Sequence, residues 1–407
     1  MSTGKIQINI FGETVGQPLE GARVTVSSAS ENSNVVSEII TNSSGKSDIL
    51  ELEAPPLEYS LNANSPKPYS EYNLKIERNN FEDILIEKVQ ILPNVLSQQN
   101  VFMTPKKESA ETLVFDIPPH TLYGEYPPKI AEDAIKDVTK ASGLVVLDQV
   151  VIPEYVVVHD GDPNDTSAPN YWIPYKDYIK NVASCEIYAT WPEESIKANI
   201  LTINSFTLNR IYTEWYRNQG KNFTITSSTA YDQKFVYQRN IFQEISKIVD
   251  DLFATFITKP SIQQPLFTQY CDGKNVVCPG WLSQWGSKDL AENGFGYIEI
   301  LQNYYGTEIY LESSKQVTGI PISFPGEILQ IGSNSPSVRT IQSQLNGISD
   351  NYPAIKKVAV DGIYGQKTAD SVKKFQSIFG LPETGIVDYA TWYEISKIFT
   401  AVKRLTT

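Results

Sequence analysis

The sequence from residue 172 to residue 211, WIPYKDYIKNVASCEIYATWPEESIKANILTINSFTLNRI, decides the fold of the central part of the chain. Pro174 favours the first turn of a helix, and we expect that helix to extend to about Ser184. A second helix with a regular apolar face follows it and is predicted to end near Arg217. Glu186 lies at the junction between the two predicted helices.

Glu186 is a candidate catalytic residue because apolar side chains follow it closely. These are Ile187, Tyr188 and Trp191. Apolar surroundings favour the neutral form of a carboxyl group, and a general acid must carry a proton at neutral pH. Taken alone, this residue is more consistent with a solvated loop carboxylate, so its neighbours in other parts of the sequence decide its interpretation.

The chain ahead of this region is predicted to be rich in strands. Residues 1–104 alternate apolar and polar side chains in short runs separated by Gly, Asn, Ser and Pro, which is typical of an antiparallel β-sandwich. Residues 105–149 form a connector, within which Ile130–Ser142 has the pattern of a short helix. The central α/β domain is predicted at 150–320.

The domain predicted at 321–407 has the pattern of three helices joined by tight turns. Ser335–Leu345 and Thr368–Phe379 each place apolar residues on one helical face. Between them lies the glycine turn Asp361–Gly365, and Leu381–Trp392 carries a second turn into a third helix. The fold class is therefore a multidomain α+β protein with a sandwich, an α/β unit and a three-helix unit in that order.

The bulk composition argues against several classes of partner. The 407 residues carry a net charge of −13, whereas nucleic-acid binding depends on Lys and Arg. No run approaches the roughly 18 apolar residues of a membrane span, and the first residues lack the apolar core of a secretory signal. Two His and three Cys indicate no complete metal site and no disulfide framework, so no metal or cofactor is predicted.

The C-terminal pattern resembles the type 1 peptidoglycan-binding domain, a three-helix module. The matching segments are Val338–Leu345, Asp361–Gly365, Thr368–Gln376 and Glu383–Gly385. Tyr364 stands where that family has Phe. The resemblance implies that glycan strands of peptidoglycan are a partner of this chain.

The central region resembles the SpoIID/LytB family in three ordered blocks. The first block comprises Tyr178-Ile179, Val182, Glu186, Trp191-Pro192-Glu193 and Ser195–Asn199; the second is Ser228–Phe235; the third is Cys278–Ser287 with the residues up to Gly306. In related lytic transglycosylases the Glu at the position of Glu186 is the catalytic acid and base. The resemblance also implies contacts with substrate from Lys197, Asn199, Gln233, Ser283, Gln284 and Trp285.

The sequence departs from this family at a position that bears on metal binding. Cys278 stands where the family has a His that helps to bind zinc in some members. Asn199 replaces Gln, and Asn204 stands where an Arg is frequent. A zinc site is therefore in doubt, and a disulfide between Cys271 and Cys278, or two free thiols, is favoured over a metal.

The order of the modules resembles that of clostridial spore cortex-lytic enzymes of the SleC type. Gly16–Val26 and Thr41–Ile49 resemble a transthyretin-like domain, which is the pre-region of such enzymes. The resemblance implies that residues 1–149 restrain a zymogen until a subtilisin-like germination protease cuts at Gln149-Val150. It also implies a location in the spore cortex, reached without a signal peptide.

Three functions remain open at this point. The first is a lytic transglycosylase that cleaves the bond between N-acetylmuramic acid and N-acetylglucosamine. The second is an N-acetylmuramoyl-L-alanine amidase, although such enzymes commonly use a zinc site and both His residues lie outside the motif blocks. The third is a non-catalytic amidase enhancer or wall scaffold. Glu186 favours the first. The sequence leaves open a requirement for muramic-δ-lactam and the oligomeric state.

Overall fold

A computed structural model describes residues 2–30, 34–106, 111–136, 149–318 and 324–404 of the chain. Its N-terminal part is built from strands and one short helix. These elements are β1 (Ser2–Phe11), β2 (Arg23–Ser28), β3 (Val35–Ile40), β4 (Leu50–Ala54), α1 (Glu58–Leu61), β5 (Ser70–Glu77), β6 (Ile84–Ile91), β7 (Leu96–Phe102) and β8 (Leu113–Asp116).

The N-terminal strands form two sheets, in the orders β13-β7-β1-β4 and β3-β2-β5-β6-β8, where β13 is Ile241–Phe242. Buried residues of both sheets, such as Ile8 and Leu74, belong to one hydrophobic cluster. The prediction of purely antiparallel pairing is wrong at two places, because β1 pairs with β7 and β6 pairs with β8 in parallel. β1 and β7 are parallel because the intervening chain first supplies β5 and β6 to the other sheet, and such a crossover permits parallel pairing.

The central part consists of helices around which short strands are arranged. Its elements are β9 (Val151–Ile152), β10 (Tyr155–His159), β11 (Asn170–Pro174), α2 (Tyr175–Glu186), α3 (Glu193–Tyr212), β12 (Ile225–Thr226), β13 (Ile241–Phe242), α4 (Gln243–Leu252), β14 (Thr255–Thr258), β15 (Tyr270–Cys271), β16 (Leu282–Ser283), α5 (Gln284–Glu292), α6 (Tyr297–Tyr305), β17 (Tyr310–Ser313) and β18 (Gln316–Val317). Most residues of α3 are buried, so this helix forms the centre of the core.

The two helices predicted around Glu186 are present, with different ends. Glu186 is the last residue of α2 instead of part of the following junction. The second helix, α3, ends at Tyr212 and not near Arg217. It ends there because Glu214 adopts a φ of 45°, a left-handed conformation that cannot continue a right-handed helix.

The C-terminal part contains α7 (Pro336–Ile348), α8 (Gln366–Phe379) and α9 (Tyr389–Arg404). Ser335 caps α7, since its side chain accepts a hydrogen bond from the backbone N–H of Val338. The turn before α8 needs glycine, because Gly362 has a φ of +82°. Trp392 of α9 is fully buried at the centre of this part.

The connector is extended where a helix was predicted. Of Ile130–Ser142, residues 130–136 are described and contain no helix, while 137–142 lie outside the described residues. The backbone N–H of Ile130 donates to the carbonyl of Ala230, and the carbonyl of Ala134 accepts from Phe267. The helix prediction is wrong here because these partners in the central part bind the backbone groups that a helix would use internally.

A buried group of charges joins the C-terminal helix α9 to the central helices α2 and α4. The Nζ atom of Lys176 lies 3.0 Å from Asp250 Oδ1 and 2.7 Å from Glu394 Oε2. Burial disfavours the ammonium, but the two carboxylates outweigh this effect and raise the pKa of Lys176. Lys397 of α9 also pairs with Asp177 of α2, at 2.9 Å. The C-terminal and central parts are therefore held in one arrangement.

We predict that Glu394→Gln lowers the free energy of unfolding by about 3 kcal/mol, because it leaves a buried charge with one partner fewer. Urea denaturation followed by circular dichroism measures this quantity. Glu383→Gln, which removes a carboxylate from an exposed turn of the same part, is the matched control and should change it by less than about 0.5 kcal/mol. Equal effects of the two substitutions would contradict the role of Glu394.

Candidate active site

The carboxylate of Glu186 is fully buried and receives three hydrogen bonds. Its Oε1 atom accepts from the backbone N–H of Lys234 at 2.8 Å and from the hydroxyl of Tyr270 at 3.2 Å. Its Oε2 atom accepts from Nε2 of Gln284 at 3.1 Å. The three donors come from different parts of the central region, so they fix both oxygens of the carboxylate.

Helix α5 is positioned so that its first residue reaches this carboxylate. Ser283 caps the helix by accepting from the backbone N–H of Gly286 at 3.0 Å, and Gln284 follows directly. Asn199 of α3 donates to Ser287 of α5 at 2.7 Å, which ties the two helices together. Of the predicted contact residues, Gln284 therefore lies on Glu186, while Ser283 and Asn199 hold Gln284 in place.

Two other predicted contact residues have different partners. Lys197 forms ion pairs with Glu193 and Glu194 at 2.7 Å and 3.0 Å. The side-chain oxygen of Gln233 accepts from the hydroxyl of Tyr178 at 3.0 Å in the interior. In this structure, the polar groups of Lys197 and Gln233 that could recognise a sugar are already engaged with other side chains. Their role in binding substrate stays a prediction.

Trp285 belongs to an aromatic cluster beside the candidate catalytic residue. Its ring centroid lies 4.9 Å from that of Trp191, which in turn contacts Tyr188 at 5.9 Å. His120 of the connector packs on Tyr188 with ring centroids 4.4 Å apart. The connector therefore covers a face of this cluster.

Two connector residues that the sequence did not single out lie at Glu186. Tyr126 is buried, and its pKa is raised well above the ordinary range, first by burial and then by the carboxylates of Glu186 and Asp272. Lys129 is only partly buried as a residue, but its ammonium donates to the carbonyl of Asp232 at 2.7 Å. The connector thus closes the carboxylate off from solvent.

The ammonium of Lys129 is enclosed by aromatic rings. It lies 4.5 Å from the ring centroid of Tyr270, 5.9 Å from that of Phe206 and 6.0 Å from that of Tyr126. Burial lowers its pKa to about 8, although the nearby carboxylate of Glu186 acts in the opposite direction. A connector cation therefore sits beside the buried carboxylate. No feature of the sequence other than its place in the connector would have identified it.

The cysteines of the central part are arranged in two ways. Cys271 and Cys278 form a disulfide across a loop, and Cys185 is a buried free thiol. Within the loop, the side chain of Asp272 accepts from the backbone N–H groups of Asn275 and Val276. The disulfide loop follows β15, so it helps to fix the strand that carries Tyr270.

The described part of the chain lacks two kinds of feature. It contains no group of three His, Cys, Asp or Glu side chains arranged to hold a metal ion. Among the helices that the structure describes, none combines the length and the apolar character that a membrane crossing requires.

The predicted processing junction lies at the edge of the central part. Gln149 is exposed, and its side-chain amide binds Gln316. The carbonyl of Val150 accepts from the hydroxyl of Ser314 at 2.8 Å, and β9 then pairs with β18. Residues 137–148, immediately ahead of the junction, lie outside the described residues.

Comparison with known proteins identifies one part of the chain. Residues 334–395 match the family of putative peptidoglycan binding domains, which supports a cell-wall-related function. No curated protein matches the chain.

Similar solved structures include the SleB N-terminal domain, which is 29% identical, with coverage of 19% of this chain and 97% of that chain and a TM-score of 0.17. The Bacillus anthracis TIE protein is 18% identical, with coverage of 26% and 17% and a TM-score of 0.19. GBS52, the minor pilin of Streptococcus agalactiae, is 14% identical, with coverage of 27% and 48% and a TM-score of 0.18. This chain therefore spans less than half of the latter two, and likenesses this low support no inference about fold or function.

We predict that the connector makes stability depend on pH through Lys129. The ordinary pKa of a lysine is 10.5 and the pKa of Lys129 in the folded chain is about 8, so the unfolded chain binds more protons between these values. The free energy of unfolding should therefore rise with pH in that interval, by about 2 kcal/mol between pH 8 and pH 10 relative to Lys129→Met. Urea denaturation of both proteins at pH 7 to 10 measures the difference. A difference that does not change with pH would contradict the buried ammonium.

Proposed function

We propose that this chain is the zymogen of a spore cortex-lytic enzyme, a lytic transglycosylase in which Glu186 is the general acid and base. The observation that carries the proposal is the buried carboxylate of Glu186, held by Lys234, Tyr270 and Gln284. Groups held in this way are pre-oriented for proton transfer. The peptidoglycan-binding match at 334–395 supports the choice of substrate.

The first step would be protonation of the glycosidic oxygen between N-acetylmuramic acid and N-acetylglucosamine by Glu186. The bond from C1 of the muramic residue to that oxygen then breaks, and positive charge develops on the ring as an oxocarbenium-like state. The glucosamine residue leaves with the proton. Glu186, now ionised, stabilises the positive charge.

In the second step, the 6-hydroxyl of the same muramic residue attacks C1, and Glu186 takes the hydroxyl proton. The product is a 1,6-anhydro end, and Glu186 returns to its protonated form. One carboxylate suffices because the nucleophile belongs to the substrate, in contrast to the paired carboxylates of hydrolytic glycosidases.

The amide of Gln284 can follow this change of protonation. In the arrangement observed, its nitrogen donates to Glu186, while its Oε1 atom is buried and has no hydrogen-bond partner among the described residues. If Oε2 of Glu186 carries a proton, rotation of the amide would present an acceptor to it. Gln284 would therefore act as a positioning residue for both forms of the acid.

In the proposed zymogen, the connector is the segment that keeps substrate away from Glu186. Tyr126 and Lys129 enclose Glu186, so a glycan strand cannot reach the carboxyl group while they are in place. A subtilisin-like germination protease would cut at Gln149-Val150 and separate the connector from the central part. The cut alone does not remove the contact between β7 and β13, so the N-terminal part must then dissociate.

The test is mass analysis of muropeptides released from spore cortex by the full-length chain, uncut and after cleavage at Gln149-Val150. The cut chain should release anhydro-muropeptides at a rate at least tenfold above the uncut chain, because its Glu186 is exposed. Glu186→Gln in the cut chain should reduce the release by at least about 1,000-fold, since it cannot supply the proton.

Glu312→Gln is the matched control, because Glu312 is an exposed carboxylate on β17 of the same part. It should leave the release unchanged. Anhydro ends that persist with Glu186→Gln would refute the assignment of the acid. Release of free peptides in place of anhydro ends would identify an amidase.

A further inference from the structure

The connector lies along the central part as an extended peptide. The side-chain amide of Gln269 binds the connector backbone as both donor and acceptor. Its Nε2 atom donates to the carbonyl of Ile130 at 2.7 Å, and its Oε1 atom accepts from the backbone N–H of Glu132 at 2.8 Å. This pairing satisfies peptide groups of the connector and uses none of its side chains. Gln269 would therefore bind any extended peptide of suitable register.

A second glutamine binds the connector backbone further along, through both groups of one residue. Gln264 accepts from the backbone N–H of Lys136 at 3.0 Å and donates to its carbonyl at 3.0 Å. Between the two glutamines, the backbone N–H of Phe267 donates to the carbonyl of Ala134 at 2.8 Å. The bound positions thus recur at every second connector residue, which is the repeat of an extended chain.

Arg210 binds a carboxylate of this extended peptide. Its Nη1 and Nη2 atoms donate to the two oxygens of Glu132 at 3.0 Å and 2.7 Å. Its Nε atom donates to Asp232 at 2.7 Å, and its side chain is fully buried. Burial raises the pKa of Glu132, but Arg210 and Lys136, which donates to the same carboxylate at 2.6 Å, together outweigh this effect and lower it. Two parallel bonds of this kind recognise a carboxylate specifically.

We propose that the groove formed by Arg210, Gln264 and Gln269 is a substrate site, which takes the stem peptide of peptidoglycan once the connector leaves. The connector is then a peptide mimic, with Glu132 in the place of a stem-peptide carboxylate. The groove and Glu186 are connected through one short segment of chain. Asp232 accepts a hydrogen bond from Arg210 of the groove, and the backbone N–H of Lys234, two residues further along, donates to Glu186.

The charges favour this assignment over a purely structural contact. When the connector leaves, Asp232 still pairs with Arg210, so the fold keeps one ion pair, while the two Nη atoms lose the carboxylate of Glu132. Without that carboxylate, the only remaining hydrogen bond of the Nη atoms among the described residues is that of Nη2 to the carbonyl of Tyr231 at 3.3 Å, and a buried guanidinium left in this way favours a new anionic partner. Stem peptides supply free carboxylates and amide groups together. The inference rests on the proposed function only in taking peptidoglycan as the substrate.

The experiment measures binding of the tripeptide L-alanyl-γ-D-glutamyl-diaminopimelate to the full-length chain by isothermal titration calorimetry. Glu132→Gln removes the connector carboxylate from Arg210, so it should bind the tripeptide at least tenfold more tightly than the unsubstituted chain. Asp133→Asn is the matched control, because it removes the neighbouring exposed carboxylate, and it should leave the affinity unchanged. The same tripeptide with its carboxylates converted to amides should bind Glu132→Gln at least tenfold more weakly.

Equal affinities of Glu132→Gln and Asp133→Asn, or of the tripeptide and its amide, would overturn the inference. If Glu132→Gln does not fold, Glu132→Asp serves in its place, since its shorter carboxylate cannot reach both nitrogens and should produce the same direction of change. Because calorimetry needs no cleavage, the result is separate from the transglycosylase test. Anhydro products without tripeptide binding would refute only the proposal that the groove binds stem peptides. Tripeptide binding without anhydro products would refute only the proposed transglycosylase reaction.

Discussion

The hydrogen bonding of one buried carboxylate determines how the parts of this molecule must fit together. A carboxylate as enclosed as that of Glu186 is tolerated only when donors replace water, and here the backbone of Lys234, the hydroxyl of Tyr270 and the amide of Gln284 do so. Each donor needs support of its own. The disulfide loop follows the strand of Tyr270, and Ser283 caps the helix of Gln284. Much of the central architecture is therefore explained by the requirements of a single side chain.

The connector completes this enclosure and shares the same charges. Lys129 brings an ammonium to the carboxylate, while Glu132 pairs with Arg210, which in turn pairs with Asp232. The C-terminal part is also held to the central part, because Lys176 of α2 pairs with Glu394 of the C-terminal helix α9. Under the proposed function, release of the connector would expose Glu186 and the proposed peptide groove together, while Lys176 would still join α9 to the central helices.

Local pattern was sufficient for the elements whose determinants lie close together in the chain. The mixed α+β class and the presence of helix α2 follow from apolar spacing and proline, although its end at Glu186 was not predicted, and the peptidoglycan-binding region follows from motifs that resemble that family. Parallel pairing of β1 with β7 depends on partners distant in sequence, so alternation alone could not predict it. The prediction of a helix in the connector was wrong for the same reason, since the backbone groups of this segment bind distant residues of the central part. Roles for Lys197 and Gln233 stay predictions, because motif position does not determine which partners a side chain finds.

The most direct test of the account is to fix the connector to the central part and measure cleavage. Ile130→Cys with Ala230→Cys would place two thiols where the backbones already hydrogen-bond. After oxidation and cutting at Gln149-Val150, we expect release of anhydro-muropeptides at least tenfold slower than from the cut chain without these cysteines, and recovery of the rate on reduction. The cut chain lacking them, with and without reductant, controls for opening of the Cys271–Cys278 disulfide. Full activity of the cross-linked protein before reduction would contradict the account.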